Sequence, residues 1–462
     1  MKCSFCKAAP ATQVLGACGR CLKSCVGAVA ARVAEAHRLS RSPFRLGRGE
    51  DARGGGVAEA HRLSRSPFPS APPRAAEGVT CHVCGNECRV APGEKGFCGL
   101  RENRGGRLVQ LAGTPRQGVV TWYHDPLPTN CVADWVCAGG TGAGYPRYAY
   151  TPGPERGYTN LAVFLGACSF DCLFCQNRGY HQMARHLYPL HTPEELAAEV
   201  TDRDACLCYF GGDPSPQMPF AVKTVRLARQ RAGNRFFRIC WETNGNVHPR
   251  YLKAMAEISL TSGGCIKFDL KAWDASLHLA LTGTDNRRVL ENFRLLAGYT
   301  KERPDPPFLV ASTLLVPGYV DEQEVGAIAR FIAELDPDIP YTLLALYPHH
   351  LMSDLPLTPR EEAEACERAA REAGLRRVRL GERPPSGVNA PDPAGSLIFG
   401  HRWRNTGWCW GQIFIERMLY KTEALLYNTQ KVNLLSYGGK VWCSPRFQKK
   451  ARLPCLPRSG NF

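Results

Sequence analysis

The sequence predicts an α/β protein built on a parallel sheet. From residue 161 to residue 373, short apolar stretches alternate with amphipathic stretches of helical periodicity. Six strand–helix units follow one another in this way. Strands that alternate with helices form parallel sheets, because each helix carries the chain back to the start of the next strand. At this length, the pattern favours a curved (β/α)6 partial barrel over a closed eight-stranded barrel.

The ends of the predicted elements place the candidate site. Thr192 and Thr358 each precede a Pro and two early acidic residues, which is the composition of a helix N-terminus. In folds of this class, ligands bind at the carboxyl ends of the strands, so the residues after each strand are the candidates. The predicted strands are 161–166, 206–210, 236–241, 265–270, 308–315 and 341–347. The predicted helices begin near Thr192 and otherwise span 218–232, 248–258, 286–299, 321–335 and 358–373.

Charge is concentrated at the two ends of the 462-residue chain. Residues 1–80 carry 13 Lys and Arg against 5 Asp and Glu, and residues 386–462 carry 11 against 3. The two flanks together account for the net charge of +16. The segment between them is neutral and has no basic stripe, so we expect no nucleic-acid partner for the predicted barrel.

The 22 cysteines point to metal binding in a reducing compartment. The chain is long enough to form a core without disulfides. It shows neither a charged-then-apolar leader nor an apolar run of membrane-spanning length. We therefore expect a cytoplasmic protein without a membrane partner.

The first predicted strand leads directly into a three-cysteine loop. Cys168, Cys172 and Cys175 have the spacing C-x3-C-x2-C. Three thiolates on one loop can bind three irons of a [4Fe–4S] cluster and leave the fourth iron open to a ligand. A zinc site or a set of core cysteines is the alternative, although zinc sites usually take four ligands from paired C-x2-C knuckles.

This loop resembles the cluster motif of the radical SAM (S-adenosylmethionine) superfamily. The ends of the next strands carry further similarities in the family's order. Gly211-Gly212-Asp213-Pro214 resembles the G-G-E-P motif, with Asp in place of Glu. Residues 242–245 resemble the (D/E)-T-N-G stretch of glycyl-radical (pyruvate formate-lyase) activating enzymes, and residues 269–271 resemble their D-L-K motif. Residues 316–318 resemble a V-P-G turn, and residues 347–350 resemble a Leu-Pro-Tyr-His run.

The resemblance covers about residues 81–380 and implies a function. The implied fold is the radical SAM core, and the implied cofactors are a [4Fe–4S] cluster on the three loop cysteines and SAM. The residues that the resemblance places at SAM are Phe174, Gln176, Gly211, Gly212, Asp213, Asn244, Asp269, Lys271 and His349. Which of His349 and His350 corresponds to the family's histidine is open at this point.

Two further cysteine groups precede the loop. Cys3-x2-Cys6 and Cys18-x2-Cys21 fit a four-cysteine zinc ribbon within residues 1–30, with reduced surface cysteines as the alternative. The second group lies in a Cys-rich module at 79–150, which resembles a segment of AmmeMemoRadiSam-type radical SAM proteins. It binds zinc or a second iron–sulfur cluster, or its cysteines are small buried hydrophobes. Its members are Cys81, Cys84, Cys88 and Cys98.

The remaining segments have linker or irregular composition. Residues 33–44 recur unchanged at 57–68 within a Gly-, Pro- and Arg-rich stretch, so we expect a mostly disordered linker at 31–78 without chemistry. The repeated VAEAHRL is compatible with a helical turn or two. The barrel core is expected at 151–385. Residues 386–462 form a basic tail that holds four of the eight Trp residues and follows no strand–helix pattern.

These observations predict a radical SAM oxidoreductase that works under anaerobic conditions. The resemblance implies that SAM is cleaved reductively to a 5′-deoxyadenosyl radical, which abstracts hydrogen from a substrate. A glycyl-radical protein is one implied substrate, and another macromolecule or a small molecule is the other possibility. A flavodoxin- or ferredoxin-type protein would supply the low-potential electron. The alternative is a non-catalytic zinc- or iron–sulfur-binding adaptor for protein or RNA.

Overall fold

Two helices open the chain in the computed structural model, which describes residues 1–42 and 69–381. They are α1 (Gly19–Ser24) and α2 (Val26–Ser40). Helix α2 contains most of the first copy of the duplicated segment, so the expectation of a disordered linker from residue 31 is wrong for residues 31–40. The reason is burial, because His37 and Ser40 lie on the face of α2 that packs against the barrel. The second copy, at 57–68, lies outside the described residues.

Short antiparallel strands follow in the Cys-rich module. Strand β1 pairs with β2, and β3 pairs with β4. The longer β5 leaves the module and joins the central sheet, and a single-turn helix, α3, comes after it. The bounds are β1 (Val79–Thr80), β2 (Arg89–Val90), β3 (Arg101–Arg104), β4 (Arg107–Gln110), β5 (Gly118–Pro126) and α3 (Ala138–Thr141).

Strands and helices then alternate up to residue 380. The first half comprises β6 (Thr159–Leu165), α4 (Gly179–His186), β7 (Leu190–His191), α5 (Pro193–Ala198), β8 (Asp204–Phe210), α6 (Met218–Ala232), β9 (Arg238–Thr243) and α7 (Pro249–Ser262). The second half comprises β10 (Ile266–Asp269), α8 (Ala275–Thr282), α9 (Arg287–Ala297), β11 (Leu309–Leu315), α10 (Glu322–Leu335), β12 (Tyr341–Ala345), α11 (Arg360–Glu372) and β13 (Val378–Leu380). All six predicted strands and the helices between them are present.

The central sheet confirms the predicted fold class. Its order is β13-β12-β11-β10-β9-β8-β6-β5-β7, and the seven strands from β13 to β6 are parallel. Three of its strands were not predicted, and one of them is the two-residue β7. Strand β13 adds a seventh parallel strand but is only three residues long. Strand β5 runs antiparallel to β6 and covers the edge that an open parallel sheet would leave exposed.

The two faces of the sheet carry different residues. On the helix-covered face, the rings of Tyr209 and Trp241 stack at 4.8 Å, and the Tyr209 hydroxyl donates to the Ala221 carbonyl in α6. Side chains alternate between the two faces along each strand, so the polar residues of the strands can point to the inner face. Near the amino ends of the strands, Arg238 forms a buried ion pair with Glu155, with Nη1 at 2.9 Å from Oε1.

We expect Glu155→Ala to lower the free energy of unfolding by about 3–5 kcal/mol, because the buried Arg238 guanidinium would lose its counter-charge. The matched control is Asp338→Ala, which removes the partner of Arg376 in an exposed pair and should cost less than about 1 kcal/mol. Urea denaturation followed by circular dichroism measures both. Equal losses in the two variants would contradict the assignment of the Arg238 pair as a buried structural contact.

Candidate functional site

The three-cysteine loop follows the carboxyl end of β6, and hydrogen bonds of its own backbone hold it in place. The N–H groups of Asp171 and Leu173 donate to the carbonyls of Thr282 and Leu281 at the end of α8. The Leu351 N–H donates in turn to the Leu173 carbonyl at 3.0 Å. These bonds hold the loop against the end of α8 and the turn after β12.

The spacing of the three thiols suits a cluster better than a single ion. Zinc binds sulfur at about 2.3 Å, so a tetrahedral site places its sulfurs about 3.8 Å apart. In the described part of the chain, the sulfurs of Cys168, Cys172 and Cys175 do not all lie within 4.8 Å of one another. Thiols that converge from one loop at wider spacing fit ligands of separate irons. The donor set therefore fits a [4Fe–4S] cluster.

The loop thiols are protonated at neutral pH when no metal is bound. Burial raises the pKa of Cys175 to about 11, although the Asn177 N–H and the Lys271 charge lower it. Burial likewise raises the pKa of Cys168 well above its usual range. Metal binding must therefore displace these protons, so cluster assembly becomes easier as the pH rises.

Polar groups from the next two strand ends tie the loop to the sheet. Asn244 Nδ2 lies 3.5 Å from Cys168 Sγ and donates to Ser169 Oγ at 2.9 Å. The Asp213 carboxylate is buried and accepts from Thr243 Oγ1 and from the backbone N–H groups of Asn244 and Ser215. The side chain of Asp213 therefore braces the strand ends, and its predicted contact with SAM stays a prediction.

Gly211 and Gly212 follow β8 in the left-handed region of backbone conformation, with φ of +59° and +54°. A Cβ on Gly212 would lie 2.0 Å from the Leu165 carbonyl oxygen and 2.6 Å from that of Ala167. Only glycine permits this close approach of the strand end to the start of the cluster loop. The glycine pair is therefore a structural requirement of the loop as well as a predicted SAM contact.

Three of the predicted SAM residues, Phe174, Asp269 and Lys271, lie close together. The Lys271 ammonium is 2.7 Å from Asp269 Oδ2 and 5.9 Å from the centroid of the Phe174 ring. Phe174 is buried, whereas the Asp269 side chain is 42% exposed. Lys271 and Asp269 therefore present a cation and a partly solvated carboxylate beside Phe174 of the three-cysteine loop.

The structure separates the two histidines that follow β12. His350 Nε2 lies 2.9 Å from Ser40 Oγ of α2, so His350 belongs to the contact with the N-terminal helix. His349 precedes this turn and stays the predicted SAM residue. Gln176 Nε2 donates to the Tyr347 carbonyl at 3.4 Å, which links the end of the cluster loop to the same strand end.

Sequence reasoning missed a buried network around Asp171, the residue before Cys172. Its carboxylate receives His37 Nδ1 at 3.0 Å, Ser40 Oγ at 2.8 Å and His181 Nε2 at 3.4 Å. Burial opposes ionisation, yet Arg41, His181 and His37 hold the pKa of Asp171 well below its usual range. The sequence does contain a signal for this network, because Asp171 is a carboxylate in an otherwise apolar loop and a buried charge needs partners. We expected no chemistry from the segment that supplies His37.

Lys267 is a second buried charge, and it points into the barrel. Its ammonium lies 2.8 Å from Glu242 Oε1 and within 3.2 Å of the sulfurs of Cys131 and Cys208. A buried charge needs such partners, and Lys267 has them. Cys131 therefore lies against a buried charge.

The structure brings the first N-terminal cysteine group together and buries most of the second. The sulfurs of Cys3, Cys6, Cys18 and Cys21 all lie within 4.8 Å of one another. Cys81 and Cys88 instead pack in a hydrophobic cluster with Val83, Val90 and Phe97. Metal binding by the group of Cys81, Cys84, Cys88 and Cys98 stays a prediction.

His82, Glu87 and His248 form a further group that the sequence did not indicate. Their ligand atoms also lie within 4.8 Å of one another. The Glu87 carboxylate is 3.6 Å from Arg288, however, and His248 Nδ1 accepts the Arg250 N–H. Both residues are thus engaged with other groups, and we assign this surface cluster no ligand.

Comparison with known proteins agrees with the site. Residues 163–332, which include the cluster loop and the ends of β8 to β11, match the family described as the radical SAM superfamily. This segment is similar to a radical SAM domain, and such a domain uses a [4Fe–4S] cluster and SAM as cofactors. The match supports an enzyme.

Three relatives extend the comparison. An uncharacterized protein of Methanocaldococcus jannaschii is 26% identical over 79% of this chain and 95% of its own length. The isethionate sulfite-lyase activating enzyme of Desulfovibrio desulfuricans is 39% identical over 30% of this chain, which spans only 40% of that enzyme. Another M. jannaschii protein, provisionally named a glycyl-radical enzyme activating enzyme, is 27% identical over 42% of this chain and 71% of its own length. The predicted resemblance to activating enzymes is confirmed.

The described residues also bear on the membrane expectation. In residues 1–42 and 69–381, no helix combines the length and apolar character needed to cross a membrane.

We expect Gly212→Ala to disrupt the cluster loop, because its Cβ would collide with two backbone carbonyls. The matched control is Gly105→Ala, which has a similar φ of +57° but no neighbouring atom within 4 Å of the added Cβ. Both variants carry the backbone strain of about 1 kcal/mol, and only Gly212→Ala adds the collision. Thermal unfolding and bound iron after anaerobic reconstitution measure the effect. Similar iron content in the two variants would contradict it.

Proposed function

We propose that Cys168, Cys172 and Cys175 bind a [4Fe–4S] cluster and that SAM binds beside it at the carboxyl ends of the parallel strands. The observation that carries the proposal is the three-thiol loop itself. Its sulfurs are too widely spaced for one tetrahedral ion, and its backbone is bonded to the ends of other elements. When bound, the cluster and SAM supply one-electron chemistry, in which reductive cleavage of SAM yields a 5′-deoxyadenosyl radical that abstracts hydrogen from a substrate.

The chain's own residues would bind and orient SAM. Lys271 and Asp269 offer a cation and a partly exposed carboxylate, which suit the carboxylate and ammonium of an amino acid. Gly211 and Gly212 allow the backbone to approach a ligand closely. The remaining predicted contacts come from Phe174, Gln176, Asn244 and His349, all in the cluster loop or at strand ends.

The loop would also keep water from the reacting atoms. Phe170, Leu173 and Phe174 are each at most 3% exposed. They lie beside the cysteines in the loop sequence, and a dry loop would protect a reactive intermediate from side reactions. Asn244 would orient the loop by donating to the Cys168 sulfur, and hydrogen bonds to ligating sulfurs tune the potential of iron–sulfur sites.

The names of two relatives favour a protein substrate. One is an isethionate sulfite-lyase activating enzyme and the other is provisionally a glycyl-radical enzyme activating enzyme. We therefore propose a glycyl-radical protein as the substrate and a flavodoxin- or ferredoxin-type protein as the electron donor. A glycyl-radical protein encoded beside this chain would be the first candidate to test, by electron paramagnetic resonance after incubation with SAM and dithionite.

The cysteine loop gives the decisive test of the activity. After anaerobic reconstitution, the wild-type chain should form 5′-deoxyadenosine from SAM and dithionite. A Cys168, Cys172 and Cys175 triple Ala variant should form none, because the cluster has lost its three ligands. The control is Cys366→Ala, which removes a buried thiol in α11 and should keep activity. If the triple variant matches the wild type, the assignment fails, and an absence of 5′-deoxyadenosine from every variant would favour an adaptor.

We expect Lys271→Met to weaken SAM binding roughly tenfold or more, which is the usual effect of losing one hydrogen bond to a charged group. The buried stem of Lys271 is preserved by Met, so the variant should fold. Equilibrium dialysis of SAM against the reconstituted protein measures the affinity. The control is Lys253→Met, which removes an exposed ion pair on α7. An unchanged SAM affinity in Lys271→Met would exclude Lys271 from the SAM site.

A further inference from the structure

The four N-terminal cysteine sulfurs have the spacing of a single metal ion. Sγ of Cys3 is 3.7 Å from that of Cys21, and Sγ of Cys6 is 3.6 Å from that of Cys18. A zinc ion with four sulfur ligands at about 2.3 Å requires separations of about 3.8 Å. These sulfurs therefore differ in spacing from those of the cluster loop. They suit one tetrahedral ion, whereas the loop cysteines do not.

The backbone around these cysteines is shaped as two knuckles. Lys7 in the first knuckle has a φ of +59°, and its N–H donates to the Cys3 carbonyl at 3.0 Å. Cys18 begins the second knuckle, where its N–H lies 3.3 Å from the Cys3 sulfur. Tight turns that aim N–H groups at sulfur are typical of thiolate ligands of a metal. Cys25 lies outside the group, although it is only four residues beyond Cys21.

The knuckles are fastened to the mouth of the barrel. Gly19 N–H donates to the Gly318 carbonyl at 2.7 Å, just after β11. The Thr12 N–H donates to the Tyr319 hydroxyl at 2.9 Å. Lys23 forms an ion pair at 3.0 Å with Glu324 of α10, whose side chain is only 4% exposed. The cysteine group therefore sits at the same end of the sheet as the proposed SAM site.

Helix α2 connects the knuckles to the cluster loop. It starts directly after Cys25, and its last turn delivers His37 and Ser40 to the Asp171 carboxylate. All three side chains are buried. Asp171 in turn precedes Cys172, a proposed cluster ligand. A displacement of α2 would leave this buried carboxylate without two of its partners, which is unfavourable.

We propose that Cys3, Cys6, Cys18 and Cys21 bind one zinc ion, which holds the N-terminal segment so that α2 stabilises the cluster loop through Asp171. The segment before residue 42 is too short to be held by a hydrophobic core of its own, and small modules of this size usually need a metal or a disulfide. The zinc site stands independently of the proposed function. Only its effect on the cluster rests on the proposed [4Fe–4S] site.

Metal analysis of the full-length chain tests the site. The wild type, purified without added metal, should contain about one zinc per chain, because four cysteine ligands complete a single tetrahedral site. The Cys6→Ser, Cys18→Ser double variant should contain almost none, whereas the Cys25→Ser control should keep its zinc. The Cys168, Cys172 and Cys175 triple Ala variant should also keep it, which separates this site from the cluster. Iron in place of zinc, or equal zinc in all variants, would overturn the proposal.

Hydrogen exchange tests the coupling to the cluster loop. Loss of zinc should raise the exchange rate of backbone amides in residues 168–176 roughly tenfold, the factor expected when a bond to a charged group is lost. Peptides from β9 and β10 should be unchanged, which shows that the barrel has stayed folded. Ser40→Ala should keep zinc and still raise exchange in the loop, because it removes one bond to Asp171 directly. Unchanged loop exchange in the zinc-free variant would overturn the coupling.

Discussion

The pairing of the buried Asp171 carboxylate is the interaction on which the arrangement around the cluster loop depends. Asp171 lies between two proposed cluster ligands and is fully buried. A buried carboxylate is costly unless it is paired, and its partners come from α2, from Arg41 directly after it, and from His181 of α4. The N-terminal segment is therefore part of the barrel mouth rather than an appendage to it.

The rest of the site follows from the geometry of a parallel sheet. Successive strands deliver their carboxyl ends to one edge, so residues far apart in sequence meet there. Asp213 after β8 accepts from groups at the end of β9, and Asn244 at that end donates to Cys168 after β6. The ends of β6, β8 and β9 are joined in this way, and Asp269 at the end of β10 accepts from Ser312 Oγ of β11 and from Lys271.

Sulfur spacing separates the kinds of cysteine that the chain contains. The first four are close enough for one ion, the three in the loop do not all lie within 4.8 Å of one another, and Cys81 and Cys88 pack among apolar side chains. Cys131 and Cys208 instead lie against the Lys267 ammonium inside the barrel. Residue type alone does not distinguish these environments, since all of these cysteines are reduced and most are buried.

The sequence by itself determined the alternating strands and helices, the three-cysteine loop and the order of the strand-end motifs, because these are local patterns of polarity and spacing. Contacts between distant segments were decided only by the tertiary structure. His37 meets Asp171 across 134 positions of the chain, and Lys267 meets Cys131 across 136. Neither pair has a local signature, because what brings its members together is the closing of the sheet and the docking of α2. For the same reason, only the folded chain shows that His350 contacts Ser40 of α2.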